Sequence, residues 1–571
     1  MRKYIYIFLL LSGLSLFSCE KFLEPVPDTS RSEEQLMSDP IYLEGLLIDA
    51  YNALPNDYDF GIDVAGGDAV TNLQGSSFTR MATGEWKSSF YPLSTWENSY
   101  DEIYHINLFL DKYRLIPWAS SPTRTQSAND STTMFHLRRL KGEAYGLRAW
   151  YEYQLLQYHS GKSANGSLLG FPIIVKPVST NDDWKLPRNT FSACVLQIMS
   201  DLDTAIAYLP KVYADIAGNG IYNATMGAHF ENRMNGNAAR ALKSRVALLA
   251  ASPAFSQPGG VTWADAATIA GVLCKDLGAL YATGKTFYTE KNNKEIIWNR
   301  AVRQIKSWET ANFPPSLFGL GNINPSQSLV DAFPMVNGYP ISQSTTPAFD
   351  PADPYANRDV RLSDYIIYNG STFKSIIINT SIGADLDGIN TLIRSTRTGY
   401  YLKKLMSESV SLVPLSTSNA AHTYTLFRMT EVLLNYAEAA NEAWGPDGDP
   451  NGYGFTARSK IGDLRKRAGI TQPDAFLASL TTKDSFRELI LNERRIELCF
   501  EGFRFWDMRR LNRLTEMNAS VSGVFITQET GMPTSYSYSN IEERKFSPYM
   551  IYGPIPYNET LKYDITQNVG W

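Results

Sequence analysis

The chain is poor in the side chains that most often hold metals or build disulfide frameworks, with five histidines and four cysteines in 571 residues. No two histidines sit at the spacing of a metal-ligand pair, so no zinc or other metal site is expected. Cys194, Cys274 and Cys499 are an odd number, each inside an apolar helical pattern. They read as small buried hydrophobes rather than disulfide partners. A catalytic cysteine would want a nearby histidine and a polar turn, and neither accompanies them. An excess of one charge is also lacking. The formal net charge is −5, which argues against the basic footprint of a nucleic-acid binder. Beyond the N-terminus no apolar run reaches the roughly 20 residues that a membrane-spanning helix needs. No cofactor is expected.

What is present begins with an address. Met1-Arg2-Lys3 supplies a positive start, and Tyr4 to Phe17 is an apolar run too short to span a bilayer comfortably. It reads as the hydrophobic region of a signal peptide. Leu16-Phe17-Ser18-Cys19 resembles a bacterial lipobox, with Leu at −3 and a small residue at −1. Used as one, it makes residues 1–18 the leader and Cys19 the lipidated first residue of the mature chain. Simple secretory cleavage is the alternative, Phe17 being bulky for its place. Several acyl chains on one residue anchor far better than one.

Residues 19–38 are polar and Pro-bearing, suited to a tether, and the body divides into an N-terminal region 39–235 and a C-terminal region 236–571. Apolar residues at helical spacing predict helices over 39–54, from about Trp96 to Tyr113, from Leu137 to Gly161, over 192–209, 236–252, 263–281, 426–444 and 483–500. Within Leu137–Gly161, small residues (Gly142, Ala144, Gly146, Ala149) alternate with large aromatics, which lets partner helices approach closely. That alternation is the logic of tetratricopeptide helix pairs. Residues 55–92 and 120–133 read as loop and turn. An insertion over about 284–422 is rich in Gly, Pro, Asn, Ser and Thr, with short β-prone pieces such as "EIIWNRAV" and "SDYIIYNG". The expected fold is mainly α: a tetratricopeptide-like rack of helix pairs with long loop-rich insertions and a few short strands. Loops on such a rack carry function.

The segment "RRIELCFEGFRFWDMRRL", Arg494 to Leu511, mixes charge and large aromatics. On a helix Glu493, Glu497 and Glu501 would share one face, with Arg494, Arg504 and Asp507 in reach. One reading takes Glu497 and Glu501 as the acid/base pair of a secreted glycoside hydrolase. The general acid of such a pair needs a raised pKa, and adjacent arginines hold carboxylates ionised. The favoured reading is therefore structural: Glu493, Arg494, Glu497, Glu501, Arg504 and Asp507 form a buried charged seam.

This segment is similar to the signature of the SusD/RagB family of outer-membrane lipoproteins. Other pieces resembling that family follow in order: "CEKFLEPVP", "WENSYDEIYHIN", "GEAYGLRAWYEYQLLQYHSG", "EIIWNR", "VDAFPMVNGYP", "NRDVRL", "RTGYYLKK", "FRMTEVLLNYAEAANEA", "LRKRAG", "YGPIPYNE" and "TQNVGW". The resemblance spans essentially the whole mature chain. It departs at Val360, where the family usually has Pro, and at Cys499. It implies a non-catalytic, lipid-anchored surface protein that captures oligosaccharides, or in some members peptides. Such a protein serves as the lid of a SusC-type TonB-dependent transporter.

The signature carries no ligand residues, so these are sought by chemistry. Sugar rings present flat C–H faces, which favours exposed aromatics flanked by amides, carboxylates or guanidinium groups. The 55–92 loop offers Asp68, Asn72, Gln74, Phe78, Arg80, Trp86 and Tyr91. The loop after "EIIWNR" offers Trp308, Phe313, Phe318 and Asn322. Trp86 and Trp308 are the first choices for a stacking platform. "YGPIPYNE" and Trp571 read as a docked C-terminal tail.

Overall fold

The computed structural model describes residues 33–571 apart from 116, 117, 119–121, 180, 344 and 530. The leader, Cys19 and most of the expected tether lie outside the described residues. The long helices, numbered in chain order, are α1 (Pro40–Asn52), α2 (Trp96–Lys112), α3 (Gln126–His159), α4 (Phe191–Tyr208), α5 (Gly236–Ala251), α6 (Trp263–Leu277), α7 (Met429–Trp444), α8 (Ala457–Arg467) and α9 (Lys483–Glu497). The short α10 (Arg504–Arg510) follows. Each of α1 to α6 packs on the next, and α7 packs on α6, although some 150 residues separate them in sequence. α8 and α9 then both pack on α7. The rack is thus continuous in space and interrupted only in sequence. None of the described helices is long and apolar enough to cross a membrane.

Local chemistry explains most of the boundaries. Asp39 caps α1, with Pro40 at its first position; Thr190 caps α4, Asn235 caps α5, and Thr262 with Asp265 forms a capping box on α6. α3 starts earlier than its apolar stripe predicts. The Thr125 hydroxyl accepts from the Ala128 N–H at 3.2 Å and nucleates two further turns inside the Ser/Thr-rich stretch that reads as a turn. The small residues of α3 act as expected: a Cβ on Gly142 would lie 2.6 Å from Leu209, and one on Gly146 2.7 Å from Met234. α8, with no strong apolar stripe, is a helix the periodicity did not predict.

Strands are short and all pair in twos. β1 (Ala69–Thr71) pairs antiparallel with β3 (Ile323–Pro325), and β2 (Ile296–Asn299) with β4 (Thr425–Arg428). β5 (Val521–Thr527) and β6 (Ser535–Glu542) form a hairpin. "EIIWNR" is therefore a strand as expected, and "SDYIIYNG" opens as the end of a short helix, Val360–Tyr365, then runs into the short strand Ile366–Ile367 paired with Tyr401–Leu402.

Two hydrophobic cores result. The first runs through the helical rack and includes Trp96, Trp150, Trp298, Tyr436 and Trp506. The second belongs mainly to the insertion, built from Phe313, Phe333, Leu362, Tyr400 and Tyr401. The end of α9 joins them, since Ile490 and Leu498 sit in the first core and Ile496, Cys499 and Phe500 in the second. The C-terminal tail docks: the Asn568 amide donates to the His159 carbonyl at 2.9 Å, and the Trp571 indole donates to Tyr552 at 3.2 Å.

Backbone proximity gives a paired test. A Cβ on Gly553 would sit 1.8 Å from the Tyr158 carbonyl oxygen, whereas one on Gly45, inside α1, meets nothing within 4 Å. Gly553→Ala should lower stability by roughly 3 kcal/mol, and Gly45→Ala should raise it by about 0.5–1 kcal/mol through helix propensity. Urea denaturation of the two variants checks both signs.

Candidate functional site

Every carboxylate of the charged segment near the C-terminus is paired. α9 ends at Glu497; Phe500 (φ 62°) and Gly502 (φ 80°) then take left-handed conformations that turn the chain into α10. Glu501 therefore reaches the seam from this turn and not, as one continuous helix would place it, from the face of α9. Glu493 accepts from Arg465 at 2.6 Å and Arg361 at 2.9 Å. Glu497 accepts from Arg467 at 2.7 Å and Arg361 at 3.2 Å, and Arg428 approaches it at 3.4 Å. Glu501 accepts from Lys404 at 2.7 Å and Arg428 at 2.8 Å. The Lys404 ammonium also donates to the Glu497 and Cys499 carbonyls at 2.8 and 2.9 Å. Asp507 bridges Arg494 and Arg510, both at 2.8 Å. Arg504 stands apart from these carboxylates, pairing with Glu516 at 2.5 Å because α10 points it away from α9.

The electrostatics follow from these pairs. Burial alone would raise the Glu497 carboxyl, but Arg467, Arg428, Arg361 and Lys404 outweigh it and bring it from 4.5 to about 2. Glu501 and Asp507 are also pulled below the usual range: burial opposes the shift, Arg428 and Lys404 win at Glu501, and Arg494 and Arg510 win at Asp507. A glycosidase acid must hold a proton near neutral pH. Glu497 and Glu501 are set up for the opposite. The seam's partners come from the motifs themselves: Glu295 from "EIIWNR", Arg361 from "NRDVRL", Lys404 from "RTGYYLKK", Arg428 from "FRMTEV", and Arg465 and Arg467 from "LRKRAG".

The two candidate ligand loops do meet. β1 pairs with β3, and the Asn72 amide donates to the Leu320 and Gly321 carbonyls at 3.1 and 2.9 Å. Most of the residues proposed from chemistry are nonetheless occupied in holding this junction. Trp86 is 1% exposed, with Tyr91, Phe505, Phe546 and Trp571 around its ring. Trp308 is 4% exposed; its indole donates to Asp57 at 2.6 Å and its ring meets Tyr58 and His422. Neither can offer a free face to a sugar, which corrects the expectation of a platform at either position. Apolar rings inserted between loop and rack gain more by burial than by exposure. Phe313 is fully buried, Asp68 is buried against Arg495 at 2.6 Å, and the Tyr91 hydroxyl donates to the Tyr158 carbonyl at 3.1 Å. Phe78 is part-buried over Gly61. Arg80 is exposed but paired with Glu85 at 2.7 Å.

What the junction leaves open is a patch around Phe318. Phe318 is 49% exposed and takes a left-handed backbone (φ 65°, ψ 16°) where its N–H donates to the Pro315 carbonyl at 3.0 Å. A bulky residue held there costs on the order of 1–3 kcal/mol, and such strain clusters at binding sites. Leu73, Gln74, Leu320, Ile393 and Arg394 are also exposed, on the segments that this junction brings together. Arg394 is brought in because Gly321 lies against its carbonyl, 2.5 Å from where a Cβ would be. Arg397 ties the same loops together, donating to the Thr71 carbonyl at 2.8 Å and to Glu542 at 3.1 Å. Sequence reasoning named Phe318 and Gln74 without preferring them. It missed Ile393 and Arg394, whose approach depends on a contact across more than 70 residues. A separate group, Asp49, Glu102 and His105, holds its donor atoms within 4.8 Å of one another. It was invisible to spacing because Asp49 lies on α1 and the others on α2.

Replacing Glu497 by Gln should leave Arg361, Arg428 and Arg467 buried without their shared carboxylate and cost about 3–5 kcal/mol at neutral pH. Because the folded carboxyl titrates below its usual 4.5, this difference is fully present above about pH 4.5 and lost as pH falls through about 2. Thermal midpoints of the two proteins should therefore converge in acid.

Three comparisons bear on the family. A model of the SusD family matches residues 288–571, and a SusD-like model described as "Starch-binding associating with outer membrane" matches residues 21–248. The chain is 23% identical to the SusD-like protein P38 of Formosa agariphila over 544 residues, 90% of this chain and 93% of that protein. It is similar in fold to a SusD-like protein from Bacteroides fragilis, with TM-score 0.73, 22% identity, and 95% and 99% of the two chains covered. A SusD-like carbohydrate-binding protein from the same species gives TM-score 0.69 and 20% identity over 92% of this chain and 98% of that one. With helical rack, insertion and signature seam all accounted for, the chain belongs to the SusD family.

Proposed function

We propose that this protein binds oligosaccharides at the Phe318 patch without cleaving them and passes them to a SusC-type TonB-dependent transporter, over which it acts as a lid. The observation that carries the glycan reading is the strained, half-exposed Phe318 ring, on a junction whose segments also expose Gln74 and Arg394. An aromatic face takes the C–H side of a sugar ring, while an amide and a guanidinium serve its hydroxyls. Phe318 keeps an unfavourable backbone only because the three surrounding loops overdetermine it. The solved B. fragilis relative described as carbohydrate binding supports the ligand class. The lid role and the transporter partner rest on the family resemblance, and membrane attachment on the family description together with the Cys19 motif.

The seam supports capture without cleavage, since its carboxylates Glu497 and Glu501 are held ionised and spent on cations. A hydrolase would need one protonated acid facing an open cleft.

Affinity electrophoresis through starch, laminarin, xylan and mannan should show retardation by at least one glycan, with no reducing ends released. Phe318→Ala should weaken that retardation at least tenfold. Phe318→Gly should weaken it equally while keeping or raising the thermal midpoint, because glycine relieves the left-handed strain. Retardation unchanged in both variants would remove Phe318 from the site. Cys19→Ala should shift the protein from the membrane fraction to the soluble fraction of cells.

A further inference from the structure

Between α3, the turn before α2, β4 and α10 lies a cavity of about 380 Å³, within the range of small-molecule sites. It lies apart from the Phe318 patch and is lined by none of that patch's residues. Its charged lining groups are matched by ion pairs except Asp59, which caps a helix by accepting from the Gly61 N–H at 3.0 Å and whose carboxyl is raised by desolvation. Arg245 meets Glu431 at 2.6 Å, Arg428 meets Glu501 at 2.8 Å, Arg494 and Arg510 meet Asp507 at 2.8 Å, and Asp57 pairs with Arg303 at 2.5 Å. A cavity whose guanidinium groups are satisfied offers little to an anion, and one whose carboxylates are satisfied offers little to a cation.

Neutral groups are left over. The hydroxyls of Tyr153, Tyr158 and Tyr424, the Trp506 indole N–H and the Gln154 and Gln157 amides all line this space, and none bonds to another described residue. The fully buried Ser99 hydroxyl lines it too and is without a partner. Of these neutral groups only the Ser99 oxygen is sealed from solvent; the others open onto the cavity with their hydrogen-bonding capacity unspent on protein. Burial pushes the Tyr424 phenol up to about 12 and the Tyr153 and Tyr158 phenols higher still, so all three remain O–H donors at neutral pH. The ring faces of Tyr158 and Trp506, 4.3 Å apart at their centroids, supply apolar surface beside the donors. Uncharged hydrogen-bonding groups mixed with aromatic faces match a neutral, polyhydroxylated molecule. Pro55, Asp57, Asp59 and Asn98, all exposed, border the entrance.

We propose that this cavity is a second binding site, taking a small neutral sugar of one or two rings. It would allow a short product or chain end to be held inside the rack independently of polysaccharide bound outside. The reading does not depend on the Phe318 patch.

The test titrates the intact protein with D-glucose, D-galactose, D-mannose, maltose and cellobiose by ligand-observed NMR, with D-glucuronate as the anionic control. Crystals soaked in the same sugars provide a direct view. Saturable binding of at least one sugar is expected, at least tenfold tighter than glucuronate. It should weaken at least tenfold in a Tyr158→Phe/Tyr424→Phe variant, which keeps both rings and removes only hydroxyls. That variant should retain wild-type retardation by polysaccharide. No saturable binding of any of the five, binding unchanged in the double variant, or density for water alone in the soaked cavity would overturn the proposal. Loss of sugar binding with retardation intact touches this site alone, and loss of retardation in the Phe318 variants touches only the outer one.

Discussion

Three arginines and a lysine around one buried carboxylate, Glu497, are what the rest of the structure depends on. Arg428 and Arg467 belong to the rack or its edge, whereas Arg361 and Lys404 belong to the insertion. Glu497 is thus the point at which two bodies with separate hydrophobic cores are bolted together. A buried ion pair adds little net stability over a hydrophobic contact of the same size, because both charges must first leave water. Breaking it is a different matter, since each orphaned charge then remains in a medium that cannot solvate it. The seam therefore sets orientation more than it adds stability. It permits one seating of the insertion on the helices, and alternative seatings leave buried charge unmatched.

That seating decides what the loops can do. With the insertion fixed, the 55–92 loop and the loop after β2 are drawn against each other through β1, β3 and Asn72. Most aromatics in them are consumed as wedges, Trp86 and Trp308 among them. What remains outside is a small patch whose central ring sits on a backbone it would not choose unaided. A rigid support and a strained exposed ring fit a site that binds and releases without reacting.

The same economy of charge marks the interior cavity. Asp59 apart, cations and carboxylates there answer one another, and the groups left over are neutral donors. The seam residues Arg428, Arg494, Glu501 and Asp507 reach the wall of that cavity already paired, and those neutral groups beside them have no protein partner among the described residues.

Much was legible from the chain alone. Apolar periodicity, caps and small-residue spacing located eight of the nine long helices to within a few residues, the start of α3 excepted, because these are local effects of backbone and side chain. The charged seam could also be inferred, since arginines beside glutamates hold them ionised wherever they meet. Tertiary structure alone decided which arginines those would be: Arg361, Lys404, Arg428 and Arg467 lie 30 to 136 residues from Glu497. It also decided that Trp86 and Trp308 turn inward while Phe318 stays out. Exposure of an aromatic depends on what packs over it, and that neighbour is set by the docking of distant segments, which no local pattern records.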